Sequence, residues 1–170
     1  METAAASAPA LTLAEARAIV DRALDKAAEL GVRGTFVVVD AGGNVISISR
    51  TEGAPGAGIG ISRAKAAVAA LTHETTNDFA ARMHLFPERF SAYQQILRED
   101  VFPGPGGLPI RKNGQVVGGL STGPGTFVYA VQGVDPTRFF VDGEPGNAED
   151  IIIAYALQIP YKNQHPLPPH

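Results

Sequence analysis

Two cations stand in a stretch with few other polar side chains: Arg63 and Lys65 lie within Ile61-Ser-Arg-Ala-Lys-Ala-Ala-Val-Ala-Ala70. A helix through these residues carries Ala, Val or Ile on nearly every side, so Lys65 must be largely buried. A buried ammonium is costly unless something anionic meets it. It is then either a salt-bridging or snorkelling residue, with Asp40 the internal partner that topology suggests, or a group that holds a ligand carboxylate or transfers a proton. His73, at the end of the same helix, completes a candidate catalytic set of Lys65, His73 and Arg63 for acid–base chemistry on a carboxylate-bearing metabolite. His73 and His84 are also candidate metal ligands, each able to serve singly as a haem axial ligand, as is the Thr72 hydroxyl. No H-E-x-x-H is present, and the two histidines are too far apart for a helical ligand pair. The bland reading of each is an exposed imidazole at a helix end.

Just upstream, the run Gly53 to Gly60 places Gly56, Gly58 and Gly60 in the first turn of that helix. Each weakens it by roughly 1 kcal/mol against Ala. Neither G-x-G-x-x-G nor G-x-x-x-x-G-K-[ST] can be written here, which removes the dinucleotide and P-loop readings. A helix start stripped of side chains can still receive a carboxylate or propionate through its N–H groups. The expected ligand site therefore centres on Gly56, Gly58 and Gly60, with Arg50, Thr122 and Arg138 around it, at a boundary between subunits. The alternative is that these glycines only pack. No G-x-S-x-G nucleophile elbow occurs, and the absence of cysteine removes thiolate zinc sites, iron–sulfur clusters, disulfides and cysteine nucleophiles.

The elements that must position these residues follow from periodicity. Thr12 and Glu15 form a capping box that opens a helix closed by Gly31. Thr35–Asp40 and Val45–Arg50 flank a Gly-Gly-Asn turn, and Leu108–Lys112 and Gln115–Thr122 flank Asn113-Gly114; both pairs read as antiparallel hairpins. Asp40 and Arg50 close the first hairpin as turn cap and cross-strand charge. Helices are expected from Pro55 to about Thr72, from Glu88 to Arg98 and from about Asn147 to Ile159. Phe127–Val131 resembles a strand, and Gly133–Gly146 an exposed loop. Hairpins rather than βαβ crossovers imply an α+β fold, an antiparallel sheet with helices packed against it.

The 170 residues suit one domain, placed at 11–160, between a flexible N-terminus (1–10) and a proline-rich extended arm (161–170). Hydrophobic residues at 45% and charged residues at 18% describe an ordinary globular chain. A net charge of −3 gives no reason to expect nucleic acid or anionic membrane as partner. No stretch is apolar enough to cross a bilayer, and the N-terminus lacks the basic and apolar regions of a secretory signal, so a cytoplasmic location is expected. Helices that are apolar on several faces suggest a homo-oligomer larger than a dimer.

Several segments match a known pattern in order. Val37-Val-Val-Asp-Ala-Gly-Gly-Asn44, Ile48-Ser-Arg50, Glu52-Gly-Ala-Pro55, Ser62-Arg-Ala-Lys-Ala66, Gly106-Gly-Leu-Pro-Ile110, Asn113-Gly-Gln-Val-Val-Gly118 and Ser121-Thr-Gly123 together resemble the GlcG/HbpS-like family, the haem-degrading or haem-binding domain family. The resemblance covers Leu11 to Gly123 and the last helix. It implies a profilin-like α/β sandwich, assembly into oligomers, often octamers, and haem or a related tetrapyrrole as ligand, with no other cofactor. The alternative activity is the cofactor-free acid–base enzyme already outlined. Residues 124–146 look like an insertion whose Tyr129, Asp135, Arg138 and Asp142 could line a pocket.

Overall fold

The computed structural model describes residues 9–104, 106–123, 140–141, 144–145 and 148–161. Helix α1 spans Leu13–Leu30. Its capping box is formed on both sides: the Glu15 N–H donates to Thr12 Oγ1 at 3.2 Å and the Thr12 N–H to the Glu15 carboxylate at 2.8 Å. Gly31 stops the helix at φ 66°, a conformation open to glycine at little cost. Lys112 donates to the same Glu15 carboxylate at 2.7 Å. That bond, followed by the Thr12 N–H, holds the Glu15 pKa at about 2, below its ordinary 4.5.

The first hairpin pairs β1 (Thr35–Asp40) with β2 (Val45–Arg50), and the second pairs β3 (Gly107–Lys112) with β4 (Gln115–Gly123). Asp40 caps its turn by accepting from the N–H groups of Gly42 at 2.8 Å and Asn44 at 2.9 Å. In the second turn Asn113 and Gly114 both take positive φ, 50° and 78°, as an Asn-Gly hairpin turn requires. β1 joins β4, giving an antiparallel sheet of order β2-β1-β4-β3.

β1 shows why the sheet is covered twice. Phe36 and Val38 enter a core with Ala16, Ile19, Val20 and Ala23 of α1 and with Ile152, Ile153 and Ala156 of α5 (Ala148–Leu157). Val37 and Val39 face the other way, onto Ala66 and Ala70 of α2 (Ala57–Thr72). α2 lies close to the strands because it meets them with small residues. A Cβ on Gly119 of β4 would stand 2.1 Å from the Ala66 carbonyl oxygen, so only glycine permits this approach.

The segment after α2 departs from expectation. One helix is expected over Glu88–Arg98; the chain forms α3 (Thr76–Leu85), a 3-10 turn (Pro87–Arg89) and α4 (Phe90–Leu97). Thr75 caps α3 through the Asp78 N–H at 3.0 Å, and Pro87 disfavours helical geometry at Phe86. Phe79 and Met83 of α3, with Val68 and Val101, make a small separate core against which Phe90, Tyr93 and Leu97 pack. Other bounds move by one or two residues: α2 begins at Ala57 rather than Pro55, and α5 ends at Leu157 rather than Ile159. Within the expected loop Gly133–Gly146, a two-residue ladder pairs β5 (Phe140–Val141) with β6 (Glu144–Pro145). The expected strand Phe127–Val131 and the terminal arm after Tyr161 lie outside the described residues.

Candidate functional site

The candidate site residues sort onto the two ends and the inner face of α2. Its start has no side-chain cap: Gly56 occupies the N-cap position at φ −61°. The Gly58 N–H donates to the Pro55 carbonyl at 3.1 Å and the Ile59 N–H to the Gly56 carbonyl at 3.2 Å, so the helix opens with the N–H groups of Gly56 and Ala57. A Cβ at Gly56 or Gly60 would meet nothing within 4 Å. Gly58 differs, because its Cβ would lie 3.1 Å from Thr35 Oγ1. Thr35 is fully buried and its hydroxyl has no hydrogen-bond partner. Directly across the sheet from Thr35 stands Arg50, whose guanidinium donates to the Ala54 carbonyl at 2.5 Å. Ile59, at 43% exposure, adds an apolar side chain to this rim. Gly56, Gly58, Gly60 and Arg50 are thus neighbours.

Thr122 is near but turned inward: it is fully buried and donates to the Glu149 carbonyl at 3.2 Å. Arg138 lies outside the described residues.

On the inner face, Lys65 is 3% exposed, and its partner differs from the one expected. Asp40 is occupied by its turn. Lys65 Nζ instead lies 3.8 Å from a carboxylate oxygen of Glu149, itself 1% exposed, in the first turn of α5. The pair closes the end of the sheet where β3 begins. A Cβ on Gly106 would fall 2.4 Å from the Glu149 carboxylate and 2.8 Å from Lys65 Nζ. Ser62, one turn earlier on α2 and also buried, donates to the Thr35 carbonyl at 3.2 Å. The sequence offers only an indirect sign of Glu149, a carboxylate in the opening turn of an otherwise apolar helix. That position is explained just as well by the helix dipole, so its role as a buried counter-ion is concealed.

Arg63 points elsewhere and binds Glu99 at 2.7 Å and Asp100 at 3.2 Å. The hydrogen bond to Glu99 is the main influence raising its pKa above the ordinary arginine range. His73 ends α2 in the left-handed conformation, φ 61°, exposed, its carbonyl accepting from Arg111 at 2.9 Å. It borders an open groove with Glu74, Asp78, Pro109 and Arg111. His84 is exposed on the last turn of α3. Since the 16 residues of α2 extend about 24 Å, His73 cannot share one compact site with Gly56 in a single chain. Lys65, Arg63 and His73 therefore do not converge. Among the described residues no group of three or more His, Asp or Glu side chains could hold a metal ion, and no helix is long and apolar enough to cross a membrane.

What this arrangement offers a ligand is an anion-receiving rim at the start of α2, and exposed imidazoles remote from it. Open N–H groups and a guanidinium suit carboxylates such as the propionates of a tetrapyrrole, whereas an imidazole for its iron would stand at the far end of α2 or on α3.

Comparison with known proteins places these features among relatives. The family model for haem degrading protein HbpS-like matches residues 11–126. An uncharacterized 15.0 kDa protein encoded in the dhaT-dhaS intergenic region of Citrobacter freundii is 33% identical over 120 residues, 68% of this chain and 81% of that protein. The crystal structure of Klebsiella pneumoniae protein ORFY superposes with a TM-score of 0.68 at 25% identity, covering 93% of this chain and 95% of that one. The crystal structure of a PduOC–haem complex has the same fold, with a TM-score of 0.67 at 19% identity over 88% of this chain and 94% of that one.

Proposed function

The chain belongs to the HbpS-like family, and from that membership we propose that it binds haem or a closely related tetrapyrrole between subunits of a homo-oligomer. The observation that carries this reading is the bare start of α2. Gly56 and Gly60 leave the helix end open, Arg50 stands beside it, and the fully buried Thr35 hydroxyl beneath Gly58 has no internal partner. Propionates are received there, by backbone N–H groups and the Arg50 guanidinium. Exposed Ile59 supplies apolar contact for the macrocycle edge. Bound haem would supply iron open to ligands or redox change. His73 or His84 provides the imidazole; because α2 is long, that imidazole comes from another copy of the chain. Large apolar side chains left in solvent on the single chain, Leu85 at 71% and Ile96 at 74%, favour such an assembly.

The cofactor-free enzyme reading needs Lys65, Arg63 and His73 to act on one substrate, and their dispersal along α2 gives it no support.

Replacing both His73 and His84 by Ala tests the ligation. The wild-type haem complex should show the absorption spectrum of imidazole-ligated haem and scatter light as a particle larger than a dimer of the 17.8 kDa chain. The double variant should keep the particle size and lose the imidazole-type spectrum. An unchanged spectrum, or a wild-type mass near that of one chain, counts against this reading.

A further inference from the structure

The sheet ends on β2, whose outer edge pairs with no described strand. An open edge is a row of free N–H and C=O groups, and proteins ordinarily guard one with lysine, proline or a covering element. β2 reads Val45-Ile-Ser-Ile-Ser-Arg50, with no charge before Arg50 and no proline. Val45 and Ile48 stand on the α2 side of the sheet, opposite Val39 and Val37 of β1, and remain 44% and 43% exposed. The phase of the backbone is fixed by the Thr51 N–H, which donates to the Gly34 carbonyl at 2.9 Å. Residues of an antiparallel strand direct both backbone groups alternately inward and outward. Ser49 and Ser47 therefore point at β1, and the N–H and C=O of Ile48 and Arg50 point out to the free edge.

α1 carries a matching pattern beside this edge. It packs over both β1 and β2. It also runs in the direction of β2, since the chain reverses once between α1 and β1 and again between β1 and β2. Arg17 and Asp21, both exposed, stand one turn apart on α1 and line a groove with Ile46, Ser47, Ile48 and Ser49. Opposite charges spaced i and i+4 are complementary to the same pair turned end for end. Two antiparallel copies of α1, centred at the level of Ile19, set each Arg17 against an Asp21.

We propose that β2 pairs antiparallel with β2 of a second copy of the chain about a twofold axis through Ile48, joining the two sheets into one. The outward N–H and C=O of Ile48 then bond their own counterparts, and the backbone of Arg50 lies opposite Ile46 of the partner subunit. On the α2 side, each Ile48 side chain is covered by the other. On the opposite side the two α1 helices meet. A helix centred over β1 and β2 stands about one strand spacing, roughly 4.8 Å, from such an axis, which puts the pair roughly 10 Å apart, a packing distance of helices. Arg17 faces Asp21 of the partner subunit, and the reverse. One axis thus answers the free backbone, the exposed isoleucine and both charges, as a self-complementary contact must. The interface needs no ligand, and it goes beyond the haem reading by naming the edge that joins two chains.

The chain has no cysteine, so single cysteines in the ligand-free protein report the register. Ile48→Cys, mildly oxidised, should run as a disulfide-linked dimer on a non-reducing gel, since Cα atoms of such a pair lie about 5.5 Å apart. Val45→Cys, on the same strand and the same side, should stay uncross-linked, because three residues on each side of the axis separate its two copies by roughly 20 Å. Light scattering gives a second readout. Arg17→Asp and Asp21→Arg should each lower the particle mass alone and regain the wild-type mass when mixed in equal amounts, because only the mixed pair opposes unlike charges. No cross-link in Ile48→Cys, equal cross-linking of Val45→Cys, or a mixture that keeps the mass of its separate variants overturns the proposal. An uncross-linked Ile48→Cys beside a wild type larger than a dimer overturns this edge alone and leaves the assembly needed for haem to other contacts.

Discussion

Lys65→Met is expected to destabilise the protein by about 3 kcal/mol or more, a fall of roughly 10 °C in melting temperature. Lys65 and Glu149 are 3% and 1% exposed, with Nζ and the carboxylate oxygen 3.8 Å apart. Methionine matches the lysine stem in volume, so packing changes little. What changes is that the Glu149 carboxylate loses its cation while enclosed between α2, the start of β3 and α5. Removing one partner of a buried pair costs far more than the pair contributes, because the survivor keeps its desolvation penalty. Relief has to come from the other side: Lys65→Met with Glu149→Leu should recover much of the loss, where unrelated sites would add. Unfolding of the two single variants and the double variant checks this. Had Lys65 met a ligand rather than Glu149, Lys65→Met would leave the melting temperature intact or raised and weaken binding about tenfold, or 1.4 kcal/mol.

Gly119→Ala should be nearly as damaging, about 3 kcal/mol, for a steric reason. The added Cβ would lie 2.1 Å from the Ala66 carbonyl oxygen and 3.1 Å from the Ala70 backbone nitrogen. Both obstacles are backbone in the middle of a helix, so no side chain can swing aside. α2 has to lift off β4, and that separates Val37 and Val39 from Ala66 and Ala70. Chemical denaturation of Gly119→Ala beside Gly60→Ala makes the contrast. At Gly60 a Cβ meets nothing within 4 Å, and the Ala should stabilise α2 by roughly 0.5–1 kcal/mol. Equal stability of the two variants would refute the close helix–strand approach.

Elements governed by neighbouring residues were readable from the chain. The Thr12–Glu15 box, Gly31, the Asn113-Gly114 turn and the β-branched runs each determine their own conformation, so α1 and both hairpins emerge within a residue or two. The α3 helix was also written locally, in Thr75 and Asp78, yet its apolar residues serve a small side core and give a weak stripe. Long-range pairings were another matter. Lys65 announces its need for an anion, but Asp40 and Glu149 are equally acidic on paper, and only the β1–β4 junction decides which one reaches it. Gly119 looks like an ordinary strand glycine until α2 is laid across it. For the site, the glycines at the start of α2 and Arg50 lie near one another. Thr122 turned inward, and the histidines proved remote, because helix length and strand-face alternation set those positions rather than residue type.

The central claim is that the bare start of α2 receives a tetrapyrrole, and titration of the purified protein with haem, followed in the Soret region, tests it most directly when Gly60→Leu is titrated alongside. Gly58 is unsuitable as the probe, since a side chain there presses on buried Thr35, whereas Gly60 opens into free space. Saturable binding by wild type, with affinity at least tenfold lower in Gly60→Leu at an undiminished melting temperature, is the predicted result. Absence of any Soret change with wild type, or equal affinity in the two proteins, would contradict it.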